Sequence, residues 1–124
     1  KEHLDALRQS GELYTALMYQ ILADRLAEAL SEWLHYKVRT ELWGYAPNEP
    51  KDVRKILRGE YVGIRPAIGY PISPDHSHKQ TLFDALDVTT ATGMTLTETL
   101  MMIPASSVCG FYIAHPFAKY FNIK

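Results

Sequence analysis

The chain has 124 residues, 47% of them hydrophobic and 22% charged, with a net charge of -1, which fits one globular unit of ordinary composition. So neutral a balance lacks the basic footprint of a nucleic-acid binder, and any anionic ligand must be met by local charge. A single cysteine, Cys109, excludes an internal disulfide framework, no apolar run is long enough to span a bilayer, and no secretory leader pattern follows Lys1, so a cytoplasmic protein is expected.

Residues 1–9 predict a short helix with Leu4 and Leu7 on one side, and Ser10 is a natural N-cap for the long segment after it. From Tyr14 onward, Leu17, Met18, Ile21, Leu22, Leu26, Leu30, Trp33, Leu34, Val38 and Leu42 recur at helical spacing. Asp24, Arg25, Glu28, Glu32, Lys37 and Arg39 lie mostly off that stripe, and Gly44 supplies a stop. This is one long amphipathic helix, too polar on one side to cross a membrane. A connector over residues 45–50 leads to a short helix ending near Arg58, with Pro50 in its first turn and Asn48 or Glu49 as its cap. Val53, Ile56 and Leu57 are its apolar residues and Gly59 closes it.

After Pro74 a further helix is expected over residues 75–86, with Asp75 at the positive end of its dipole and Leu82, Phe83 and Leu86 buried. A helical turn over residues 88–92 ends at Gly93. Residues 95–103 alternate and then run apolar into Pro104, which predicts a strand. Residues 108–115 predict a second, in which Gly110 marks a bulge or a close backbone approach. Residues 120–123 open a third extended piece. The sum is an α+β fold: a long amphipathic helix and shorter helices packed on a small, mainly antiparallel sheet. A chain that starts without methionine and stops inside a strand-like pattern is expected to be an incomplete part of a larger domain.

The most unusual composition lies at residues 63–76, Gly-Ile-Arg-Pro-Ala-Ile-Gly-Tyr-Pro-Ile-Ser-Pro-Asp-His. Pro66, Pro71 and Pro74 lack an N–H and bias the preceding residues, Arg65 among them, towards extended backbone. Gly69 permits a turn or a close approach. The product is a stiff irregular ribbon that carries one guanidinium and one phenol. Such ribbons either merely connect elements or hold a binding site. Arg65 reads two ways as well: a planar fork that grips a carboxylate, or a member of a structural salt bridge within the ribbon.

Other chemistries lack their patterns. Asp75, His76 and His78 form one local acid–histidine group, short of the three or four converging ligands of a zinc site. No G-x-S-x-G elbow, P-loop or dinucleotide fingerprint is present. Cys109 has no activating neighbour in sequence and reads as a small packing residue.

Arg65-Pro66-Ala67-x-Gly69-Tyr70-Pro71, followed by Pro74-Asp75-His76-Ser77 and Lys79, resembles the signature of the activation domain of cobalamin-dependent methionine synthase. The resemblance extends through Ala23-Asp24-Arg25-Leu26-Ala27-Glu28-Ala29, Trp43-Gly44-Tyr45-Ala46-Pro47-Asn48-Glu49, Thr92-Gly93-Met94-x-Leu96-Thr97-Glu98 and Lys119-Tyr120-Phe121. It implies a site for S-adenosylmethionine. Arg65 would bind the ligand's carboxylate, Glu28 would be an acid at the site, and Ala67, Gly69 and Tyr70 would make ribbon contacts. Tyr120, with Phe121 beside it, would lie against the ligand, and Tyr70 would also approach the corrin of cobalamin. Cobalamin itself would be held by a separate domain of the same enzyme, and a flavoprotein would donate the electron for reductive remethylation. The family's domain is more than twice as long, so residues 1–124 correspond to its C-terminal portion. Cys109 and Ala118 stand where the family commonly has serine. The alternatives are a non-catalytic docking module, or a relative serving another corrinoid methyltransferase.

Overall fold

The computed structural model describes residues 2–120 and is α+β. Helix α1 (Glu2–Gln9) precedes the long helix α2 (Leu13–Lys37), which runs directly into a π-helical turn (Val38–Leu42). Three short helices follow, α3 (Val53–Leu57), α4 (His78–Ala85) and α5 (Val88–Thr92), and then two short strands, β1 (Thr95–Leu96) and β2 (Met102–Ile103). The strands form an antiparallel pair, Thr95 opposite Ile103 and Leu96 opposite Met102.

The helix ends show which local signals prevailed. Gly44, at φ +72, ends the long helical segment where its sequence suggests, and the Trp43 and Gly44 amides both donate to the Val38 carbonyl. Ser10 does not cap α2. Its hydroxyl donates to the Leu7 carbonyl at 3.0 Å, closing α1, while Glu12 takes the N-cap position without a side-chain bond. Asp52, rather than Asn48 or Glu49, caps α3 by accepting from the amides of Arg54 and Lys55. Helix α4 begins at His78 instead of residue 75, because the Asp75 carboxylate turns back to accept the Ser77 amide at 2.8 Å. That bond holds the Asp75 carboxyl below the usual carboxylate range. Phe83 is buried and Leu82 half-buried, but Leu86 is 67% exposed and does not join the core as expected.

Residues 95–103 make two strands, not one. The Thr97 hydroxyl accepts the Met101 amide at 3.0 Å, the Leu100 amide donates to the Thr97 carbonyl, and Leu100 takes φ +60. Threonine hydroxyls that compete for local backbone groups turn the chain where alternation alone suggests extension. Residues 108–115 are extended but not a regular strand. They run antiparallel to the proline ribbon through isolated bridges, Ile64 with Ile113 and Ala67 with Gly110. Pro66 has no N–H to continue a ladder, so the pairing skips it, although its carbonyl accepts the Phe111 amide at 3.1 Å. Gly110 is a close approach: a Cβ there would meet the Pro66 carbonyl oxygen. The third extended piece, residues 121–123 for the most part, lies outside the described residues.

Ala16, Val38, Ile64, Ile68 and Phe83 form the buried apolar core. Beside them lies an ion pair closed to solvent. The Arg39 guanidinium, 0% exposed, donates through Nε and Nη2 to the two Glu49 oxygens at 2.6 and 2.7 Å, and stacks 3.9 Å above the Tyr61 ring. This two-point bond is where Glu49 is used, and it fastens the connector after α2 to the helix. The buried residues of α2 are Ala16 and His35, while its large apolar side chains, Leu26 and Leu30 among them, remain on the surface.

Candidate functional site

The polar side of α2, not its apolar stripe, faces the ribbon. Arg25, Glu28, Glu32 and Tyr36 recur every three or four residues and so share one helix face. They form one wall of an open cleft of about 1540 Å³. Val53, Ile56 and Leu57 from α3 also line it, as do Arg65, Pro66, Ala67 and Tyr70 from the ribbon. Val108 and Cys109 from the paired extended segment and Tyr120 complete the lining. At one end the Ser106 hydroxyl donates to Asp24 at 2.6 Å and accepts from Gln20 at 2.8 Å, fixing the loop after β2 to α2.

The salt bridge expected for Arg65 within the ribbon does not form; its Nη2 donates instead to Glu32 Oε1 on the long helix. Arg65 nevertheless borders the cleft, with its side chain 16% exposed. Its backbone amide donates to the Tyr120 hydroxyl at 2.8 Å, which ties the end of the described chain to the ribbon. Among the described residues, Glu32 Oε2, His35 Nδ1, Arg39 Nη1 and Arg65 Nε are buried with no hydrogen-bond partner.

Of the residues that the resemblance singles out, Glu28, Arg65, Ala67, Tyr70 and Tyr120 line this one cleft. Glu28 is held by Arg25 at 2.7 Å on an exposed part of the helix. Tyr70 is 68% exposed, its phenol free of the core. Gly69 is not in the lining. It makes the turn that presents Tyr70, with φ +97 and its amide donating to the Ser73 carbonyl at 2.7 Å. The His76 ring packs behind it, accepting from the buried Lys79 ammonium at 2.8 Å, and that ammonium also donates to the Leu100 carbonyl at 3.1 Å. Phe121 lies outside the described residues.

Sequence reasoning placed Glu32 off the apolar stripe without a role and did not single out Tyr36. Their spacing from Arg25 and Glu28 was the available signal, but the ribbon that makes this face a cleft wall comes from much further along the chain.

Two buried groups beside the Arg65–Glu32 pair are shifted far from neutral pH. Burial, helped by the Arg39 and Arg65 charges, pulls His35 from 6.5 down to about 3. Burial, with the Glu32 charge beside it, pushes Tyr61 up to about 12. Both stay neutral across the physiological range. Burial raises the Cys109 thiol too, the direction that favours its protonated form. Among the described residues no three His, Cys, Asp or Glu side chains converge as metal ligands. No described helix is long and apolar enough to cross a membrane.

The fold has a close counterpart in a crystal structure of the MetH reactivation domain bound to AdoHcy. The two share 47% sequence identity and a TM-score of 0.92, over 97% of this chain and 37% of that one. The chain thus spans little more than a third of the length of that solved relative. A protein-family model for the activation domain of vitamin B12-dependent methionine synthase matches residues 1–124 throughout. With the ribbon motif, the cleft and the whole-length match in agreement, the chain belongs to the family of vitamin B12-dependent methionine synthase activation domains.

Proposed function

We propose that the chain is the C-terminal portion of an activation domain that binds S-adenosylmethionine in the α2–ribbon cleft and presents its sulfonium methyl for remethylation of cobalamin. The observation that carries this reading is Arg65, a partly enclosed guanidinium on a rigid ribbon at the edge of a cleft, in a chain 47% identical to a domain described as bound to AdoHcy.

Arg65 holds the ligand's carboxylate through its planar fork, which fixes orientation as well as charge. Ala67 and the Gly69–Tyr70 turn supply backbone contacts, Glu28 adds negative charge towards the sulfonium side, and Tyr120 lies against the ligand. Tyr70, exposed at the cleft edge, faces the corrin. Cobalamin, carried by another domain of the same cytoplasmic enzyme, supplies the methyl-accepting cobalt, and a flavoprotein supplies the electron. This chain contributes position: it converts an encounter between two bodies into an oriented approach. In this reading it supplies no acid, base or nucleophile.

In the full-length enzyme, Arg65→Ala is expected to abolish reactivation by S-adenosylmethionine while sparing turnover that starts from methylated cofactor. Arg65→Lys should also be poor, because an ammonium lacks the planar fork. Undiminished rescue of the inactive enzyme in either variant would overturn the assignment.

A further inference from the structure

Lys79 is a buried charge outside the cleft. It is 3% exposed and stands in the first turn of α4, the positive end of the helix dipole, where a cation is least favoured. Among the described residues no carboxylate pairs with it. Its ammonium bonds two neutral acceptors instead, His76 Nδ1 at 2.8 Å and the Leu100 carbonyl at 3.1 Å. Burying a cation without a counter-charge is costly, and an apolar side chain would fill the same space more favourably. What the ammonium holds in place is therefore the question.

An ammonium only donates, so His76 Nδ1 offers its lone pair and the proton of the neutral ring is on Nε2. The ring is thereby set in one tautomer and one orientation, with its Cε1–Nε2 edge against Gly69. A Cβ on that glycine would lie 2.6 Å from Cε1 and 2.9 Å from Nε2. Gly69 and Ser73 close the turn that carries Tyr70: the Gly69 amide donates to the Ser73 carbonyl, and the Ser73 amide to the Tyr70 carbonyl at 2.8 Å. Tyr70 itself is 68% exposed, so little packing around it sets its direction, and the turn does. We propose that His76 and Lys79 are positioning residues for Tyr70. The Leu100 carbonyl anchors the ammonium, the ammonium sets the ring, the ring backs the turn, and the turn aims the phenol. The assignment rests on the reading that Tyr70 faces the corrin, and extends it to two residues that do not line the cleft.

The test is reactivation of the full-length enzyme by S-adenosylmethionine and reductant, with His76→Asn as the main variant. The asparagine Oδ1 stands where His76 Nδ1 does, so Lys79 keeps an acceptor while the ring edge behind Gly69 is lost. The melting temperature should stay close to that of the unaltered enzyme. The maximal rate should fall by roughly tenfold, with a smaller change in KM, because Arg65 and Ala67 still hold the ligand. In a Tyr70→Ala background the same substitution should leave the rate unchanged, since the residue it positions is gone. Lys79→Met should repeat this pattern, because His76 loses the donor that sets its ring. A purely structural His76 would give a normal rate once Lys79 has its acceptor, or an equal loss in both backgrounds, and either result would overturn the inference. An unaffected Lys79→Met would overturn the role given to the ammonium. Normal reactivation by Tyr70→Ala alone would remove the corrin-facing reading and this inference together, while leaving S-adenosylmethionine binding in place.

Discussion

At the scale of single residues, the most telling group is a histidine that never needs its charge. His35 has no exposure, with Nε2 3.3 Å from the Tyr45 hydroxyl and its ring between those of Tyr61 and Tyr112. Burial, then the Arg39 and Arg65 charges, lower it from 6.5 to about 3. The unfolded chain therefore binds a proton on this residue as pH falls below about 6.5, while the folded chain does not until about 3. The stabilisation is complete above the upper value and is lost progressively as pH drops towards the lower one. Between pH 6 and 4 its loss should approach, at most, about 1.4 kcal/mol per pH unit. Thermal unfolding over that range should show a steeper decline for the natural chain than for His35→Phe. Parallel declines would mean that His35 is not the group responsible.

At the scale of elements, the ribbon works because Gly69 accepts a backbone that few side chains tolerate. At φ +97 an added Cβ would also lie 2.6 Å from the His76 ring. Gly69→Ala should therefore cost roughly 1–3 kcal/mol in denaturant unfolding, through backbone strain and displacement of that ring. It should also weaken ligand binding, because the Tyr70 turn moves with it. Unchanged stability and unchanged affinity would show that the turn is soft. The importance of this ribbon was legible from its prolines and glycines, and the length of α2 from its periodicity. The cap of α3 was not, because Glu49 is claimed by Arg39 at the end of the long helix and Asp52 is left to do the capping. Nor was the hairpin of residues 95–103, where alternating residues imitate a strand while Thr97 bonds the backbone into a turn. Local patterns fixed where the elements are; short-range bonds from individual side chains fixed how their ends are used.

At the scale of the whole molecule, the orientation of α2 matters more than its existence. Periodicity shows two sides but not which side meets the ribbon, and it is the polar one that does, leaving Leu22, Leu26 and Leu30 mostly exposed. A contiguous apolar face of this kind is seldom left open to water. The solved relative, of which this chain covers 37%, is long enough to have further sequence for the purpose. Produced alone, the chain is therefore expected to bind hydrophobic dye and to self-associate in sedimentation experiments. Leu26→Lys together with Leu30→Lys should suppress both effects, since the charges remain hydrated on an open surface. In the longer protein the same pair should instead destabilise, by about 2–5 kcal/mol, if the face is covered there. The opposite signs separate a covered face from one that simply tolerates exposure. If the unaltered chain sediments as a dye-free monomer, the apolar side of α2 needs no cover.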